Sequence, residues 1–302
     1  AVVEVGMGGR LDPTNTVQSL VSIITNVALE HTEALGHTVE RIAFEKAGIL
    51  RPGVPAVTGA LGPALAEILR CANDSGTPLW AMDHTQMVLG GNPLARGHQL
   101  TGLASSCWGL GQPHLNGRRP TCPAVPLPLL GAFQAQNATL AAAALQLQEQ
   151  FPISSEQLRR GLAAARWPGR LEILPGQPDI VLDAAHNGFE VAALVDSLHP
   201  LVAGRELWTV FGVMRTKDYQ QMLALLHELQ PQFVLTHAPT ERGAEPELLL
   251  PFCPGALVAP STTAALELAL ERAPADAVVL VTGSIYVVGE AIQHLTALGR
   301  YG

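Results

Sequence analysis

Residues 179–198 read Asp179-Ile180-Val181-Leu182-Asp183-Ala184-Ala185-His186-Asn187-Gly188-Phe189-Glu190-Val191-Ala192-Ala193-Leu194-Val195-Asp196-Ser197-Leu198. An apolar run over 179–183 passes through a polar junction into a helical pattern over 189–198. This strand-to-helix unit recurs along the chain. Further strands are expected at 207–211, 232–236 and 277–282, with helices at 218–229, 262–272 and 286–297. Strands alternating with helices predict an α/β fold with a mostly parallel sheet covered on both faces.

The same alternation runs through the first half. Strands are expected at 1–5, 20–28 and 54–58, and helices at 38–47, 62–72, 131–150 and 154–165. Residues 84–128, rich in Gly, Pro and polar side chains, read as an irregular β excursion. Trp167-Pro168-Gly169-Arg170 breaks the pattern and marks a boundary between two domains, 1–167 and 168–302. The chain opens in mid-strand without methionine, which reads as the interior of a domain whose N-terminal part is missing.

Composition excludes several classes. The 302 residues are 48% hydrophobic and 15% charged, far from the composition of a disordered chain. A net charge of −8 argues against a general nucleic-acid binder. Mean hydropathy is positive, but no apolar run reaches the roughly 18 residues of a membrane span, and no signal peptide is evident. Cys71, Cys107, Cys122 and Cys253 form no C-x-x-C pair and suit a reduced cytoplasm. The 16 arginines stand against two lysines, Lys46 and Lys217. Lysine can lose its proton and act as a nucleophile, whereas arginine effectively cannot.

In parallel sheets, ligands gather beyond the carboxyl ends of the strands. Glu4, Glu30, His31, Asp183, His186, Asn187, Thr282, Gly283 and Ser284 are all expected there. The Gly-rich turn Gly6-Met7-Gly8-Gly9-Arg10-Leu11 lacks the last glycine of a dinucleotide fingerprint, and neither lysine sits in a Walker loop. Glu4, His31 and Lys46 form a candidate divalent-cation set if Lys46 captures CO₂ as an oxygen-donating carbamate. The alternative is a solvated helix lysine beside Glu45. Asp183, His186 and Asn187 suit nucleotide contact, or else an Asx turn and helix cap. His84, His98 and His114 read as surface residues. No G-x-S-x-G and no Cys/His nucleophile pair supports a hydrolase.

The segments add up to a resemblance that covers essentially the whole chain. Glu4-Val5-Gly6-Met7-Gly8-Gly9-Arg10-Leu11-Asp12-Pro13-Thr14-Asn15 resembles the E-V-G-L-G-G-R-L-D-A-T-N signature of folylpolyglutamate and dihydrofolate synthases, members of the Mur ligase superfamily. Residues 24–32, Phe44-Glu45-Lys46-Ala47-Gly48-Ile49, Gly131-Ala132-Phe133-Gln134 with Asn137, Trp167–Glu172, Asp183–Asn187 and Thr282-Gly283-Ser284 match in order. The resemblance implies a partial central ATPase domain followed by a Rossmann-like ligase domain. It implies ATP-dependent ligation of L-glutamate to a folate or dihydropteroate carboxylate through an acyl phosphate, by a cytoplasmic monomer using two Mg²⁺ ions. Glu4 and His31 would be metal ligands and Lys46 the carbamate. Asn137 and Arg170 would contact ATP, and Asp183 and His186 would lie beside the nucleotide and the reacting carboxylate once the domains close.

Three departures stand out. The family's phosphate loop lies upstream of Glu4, outside this sequence. Glu30 replaces an aspartate. Gly212–Asp218 keeps only part of G-x-x-x-D-K-D. Two other readings follow: a non-catalytic remnant that binds a folate or a partner, and another Mur-type amino-acid ligase.

Overall fold

The computed structural model describes residues 1–82, the backbone of 107–109, and residues 127–301. The chain divides into two compact units. Among the described residues, 1–82, 107–109, 127–128 and 133–165 form the first, and 129–132 with 166–301 form the second.

In the first unit, β1 (Ser22–Ile24) leads through α1 (Thr32–Leu35) and α2 (Val39–Ala47) to β2 (Ala56–Thr58). Then come α3 (Gly62–Ser75), β3 (Leu79–Met82), β4 (Cys107–Gly109), α4 (Ala132–Leu147) and α5 (Ser155–Ala163). The sheet order is β1-β2-β3-β4, parallel except for β4. Alternation along β2 and β3 divides two cores. Ala56 and Leu79 face Ala43, Ala47, Ala64 and Ile68 of α2 and α3. Val57, Trp80 and Met82 face Leu140, Ala143 and Leu147 of α4. The helix ends follow local chemistry. The Thr38 hydroxyl accepts from Arg41 N at the start of α2, and Gly76 closes α3 in the left-handed conformation. Ser154 and Gln157 form a capping box on α5.

The strand expected at 1–5 does not form. Val2 is fully exposed, and no described strand pairs with this segment. Without a neighbour to take up its N–H and C=O groups, an extended run remains solvated coil. The strand expected at 20–28 contracts to the three residues of β1, because the chain leaves the sheet after Ile24. β3 was not anticipated. Most of the excursion at 84–128, with His84, His98, His114 and the side chains of Cys107 and Cys122, lies outside the described residues.

The second unit contains β5 (Glu172–Leu174), β6 (Asp179–Leu182), α6 (Gly188–Val202), β7 (Leu207–Phe211), α7 (Tyr219–Leu226) and β8 (Gln232–Thr236). It continues with α8 (Pro246–Leu249), β9 (Leu257–Ala259), α9 (Thr262–Arg272), β10 (Val278–Thr282) and α10 (Ile285–Ala297). The order is β5-β6-β10-β7-β8-β9, parallel except for β5. Here the expected strands match to within one residue and the expected helices to within about a turn, while the short β5, α8 and β9 were not foreseen. The last strand inserts between β6 and β7, so the loops after β6, β7 and β10 share one edge. Ile180, Leu182, Val279 and Val281 pack with Leu266 and Val287 on the face covered by α9 and α10. No described helix is long and apolar enough to cross a membrane.

Candidate functional site

The carboxyl edge of the second sheet is laced together by backbone. Ala184 N donates to Gly169 O at 2.9 Å, Gly283 N to Ala185 O at 3.2 Å, and Gly212 N to Thr282 O at 3.4 Å. Gly283 is required at its position. Its φ is +101°, and a Cβ there would lie 2.7 Å from Gly212 O.

Asp183 organises the turn after β6. It is 3% exposed, and its carboxylate accepts from Leu171 N and from Ala185 N, both at 2.8 Å. Leu171 is itself buried and sits at φ +46°, an uncommon conformation for a branched side chain. That backbone twist presents its N–H to Asp183 and fixes the residue before it, Arg170. Burial pushes the Asp183 carboxyl up to about 6. The two backbone N–H groups and the Arg170 charge oppose that rise, and the Glu190 charge adds to it.

Beside it, His186 Nδ1 lies 3.0 Å from Glu190 Oε2 and 3.1 Å from Ala184 O. The hydrogen bond and charge of Glu190 hold the imidazole above its ordinary pKa, against burial and the nearby Lys217. Burial raises the Glu190 carboxyl, but His186 outweighs it and the net direction is downward. Asn187 caps α6, its side-chain oxygen accepting from Glu190 N at 2.9 Å, while Glu190 accepts from His186 N at 2.9 Å. Asn187 thus serves as a helix cap, one of the two roles its sequence allowed. Glu190 was missed, although the spacing Asn187-x-x-Glu190 at a helix start is close to a capping box.

The first unit is organised differently. Lys46, in the last turn of α2, pairs with Glu30 through Nζ and Oε1 at 3.0 Å, and its side chain is 23% exposed. Glu45 pairs with Arg10 at 2.9 Å. His31 is exposed, in the left-handed conformation at φ +49° ahead of α1. Glu4 lies in exposed coil. Among the described residues no hydrogen bond or ion pair joins Glu4, His31 and Lys46 to one another, and no three His, Cys, Asp or Glu side chains converge on a metal site. Asn137, exposed on α4, reaches Gln134 at 3.4 Å. A cavity of about 300 Å³ lined by Arg10, Phe44, Arg70, Cys71 and Asp74 contains none of these groups. Acids already pair with both of its arginines.

The family described as Mur ligase, glutamate ligase domain, matches residues 169–285. A probable bifunctional folylpolyglutamate synthase/dihydropteroate synthase of Haloferax volcanii is 37% identical over 302 residues, covering 96% of this chain and 34% of that protein. A probable dihydrofolate synthetase of Schizosaccharomyces pombe is 30% identical, covering 98% of this chain and 70% of that one. Among solved structures, E. coli FolC in complex with DHPP and ADP superposes with a TM-score of 0.81 at 28% identity, covering 98% of this chain and 66% of that one. A bifunctional folylpolyglutamate synthase/dihydrofolate synthase with Mn, AMPPNP and L-glutamate bound gives 0.76 at 30% identity, with 98% and 66% covered. The chain thus spans from about a third to about two thirds of these proteins' length. With the ordered motifs and the carboxyl-edge cluster, these matches establish that the chain belongs to the folylpolyglutamate synthase/dihydrofolate synthase family of Mur-type ligases.

Proposed function

We propose that the chain takes part in ATP-dependent ligation of L-glutamate to a folate or dihydropteroate carboxylate. The observation that carries this reading is the edge cluster of Asp183, His186 and Glu190 beside Arg170. Its side chains are tied to backbone N–H groups of the turn itself, the kind of oriented polar frame that electrostatic catalysis uses. The relatives crystallised with ADP, AMPPNP, Mn and L-glutamate support the substrate class.

In this reading Asp183 holds the 169–171 segment so that Arg170 meets the nucleotide, and Asn137 supplies a second nucleotide contact from α4. His186, whose imidazole Glu190 holds above its ordinary pKa, faces the oxygens of the activated carboxylate, with Lys217 adding positive field. A growing negative charge at that carboxylate meets donors already in place, and the amine of glutamate displaces phosphate. The free thiols Cys71 and Cys253 agree with a cytoplasmic site of action, and the substrates are small molecules acted on by a monomer.

The donor chemistry of the first unit fits phosphate-bound magnesium. Mg²⁺ commonly takes one or two carboxylates and completes its shell with phosphate and water. Glu4 is an exposed carboxylate of the right kind to hold it, His31 would add an imidazole nitrogen, and Lys46, after leaving Glu30, would supply a further oxygen donor as a carbamate. The ion would neutralise phosphate charge. Loss of activity in Lys46→Ala with rescue by bicarbonate or chloride supports the carbamate; activity indifferent to that substitution rejects it. The function itself is tested by ADP release from ATP by the full-length gene product. It should require both a folate or pteroate and glutamate, whereas uncoupled hydrolysis, or binding of folate without turnover, counts against the ligase.

A further inference from the structure

The Gly-rich signature of the first unit ends on Asn15, and nothing in the proposed reaction uses that residue. Its side chain is nevertheless fully engaged. Asn15 Nδ2 donates to Arg10 O at 3.1 Å and to Gly48 O at 3.0 Å. Its Oδ1 accepts from Arg51 Nη2 at 2.5 Å, and its backbone carbonyl accepts from the same nitrogen at 2.7 Å. The other arm of Arg51 donates to Gly48 O and Leu50 O, both at 3.1 Å. These carbonyls belong to the segment leaving α2. A helix end leaves carbonyls without partners inside the helix, and Gly48 has ordinary right-handed geometry rather than the left-handed close of a typical C-cap. The carbonyls of Glu45, Lys46 and Ala47 are taken by Gly48 N, Ile49 N and Leu50 N, and Asn15 and Arg51 hold the carbonyls that follow, Gly48 O and Leu50 O. Glycines permit the approach: a Cβ on Gly48 would lie 2.4 Å from Arg10 Cα, and one on Gly9 would lie 3.0 Å from the carbonyls of Glu45 and Lys46. Arg10 N adds a bond to Glu45 O at 2.9 Å.

We propose that Asn15 and Arg51 are positioning residues for Lys46: they clamp the carbonyls that follow α2, fix the rotation of its last turn, and so hold Nζ against the Glu30–His31 segment. The inference rests on the reading of Lys46 as a site residue. Neither Asn15 nor Arg51 hydrogen-bonds Lys46, so their influence passes through the backbone. The turn needs holding because, among the described residues, Glu30 at 3.0 Å is the one side-chain partner of Lys46. A rotation of the last turn would carry Nζ out of reach of Glu30.

The sequence offers a direct readout, because it contains only two lysines. Lysine-selective ¹³C labelling of the full chain gives one Cε–Hε signal from Lys46 and one from Lys217, assigned with Lys46→Arg. In the wild type the Lys46 signal should be displaced from that of a freely rotating lysine. Asn15→Ala and Arg51→Gln should each move it toward the free position, leave the Lys217 signal in place, and keep a cooperative thermal transition. Arg51→Lys, which lacks the fork, should restore the signal only in part. Glu45→Gln breaks the Arg10 side-chain pair but keeps the backbone bond, and should leave Lys46 unmoved. A Lys46 signal that is already free in the folded wild type overturns the proposal, and so does one that stays put in either folded variant. Addition of ¹³C-bicarbonate separates the two ideas. Absence of a carbamate carbon signal rejects the carbamate reading alone, since the Cε measurement is made without bicarbonate.

Discussion

The turn after β6 and the segment around Glu4 and His31 both carry family motifs, yet they are built in opposite ways. Asp183 is buried, binds two backbone N–H groups, and sits in a central strand–turn–helix unit. Glu4 is in exposed coil, and His31 precedes a four-residue helix. The first arrangement stores its geometry in the fold. The second leaves its side chains exposed, with no hydrogen bond or ion pair joining them among the described residues. The contrast teaches that a motif is pre-organised when its polar groups satisfy the backbone, and open when they do not.

The contrast predicts unequal costs. Asp183→Ala should have the largest effect, leaving two buried N–H groups without acceptors. At about 1–3 kcal/mol for each unsatisfied group, the second unit should lose roughly 2–5 kcal/mol in denaturant unfolding. A loss under about 1 kcal/mol would mean that the turn is held by packing alone.

Acid titration sharpens the same point. The Asp183 pKa is raised in the folded state, so its stabilising contribution is fully present below its ordinary value and is lost as pH rises through about 6. Unfolding free energy should therefore decline between about pH 4 and 6 by roughly 1–3 kcal/mol, a slope that Asp183→Asn removes. The His186–Glu190 pair is strongest where both are charged. Its contribution is lost as pH falls through the lowered Glu190 pKa and as pH rises through the raised His186 pKa.

In the first unit, Glu30→Gln removes one half-exposed ion pair and should cost no more than about 1 kcal/mol. Val2→Ser, at a fully exposed position, should fall within about 0.5 kcal/mol of zero by the same unfolding measurement. A larger loss at Val2 would mean that the segment is packed after all.

Legibility in the sequence followed the same division. The strands of the second unit were readable because buried parallel strands are short, branched and bounded by helix caps, as at 278–282 ahead of Ser284. The 1–5 run had a similar composition but no neighbouring strand among the described residues, and composition cannot supply one. The site types were readable as a resemblance, but their partners were not. Glu190 against His186 is a local helix contact that a capping pattern could have revealed. Glu30 against Lys46 joins residues 16 apart through a loop whose path no periodicity encodes. The left-handed Leu171 had no signal at all, since nothing about leucine announces positive φ.

The most direct test of the account follows the His186 ring signals while Mg²⁺ and ADP are titrated into the intact chain. Those signals should shift saturably, and the shift should be lost in Arg170→Ala. An unmoved His186 at saturating nucleotide, or a shift that persists without Arg170, would contradict it.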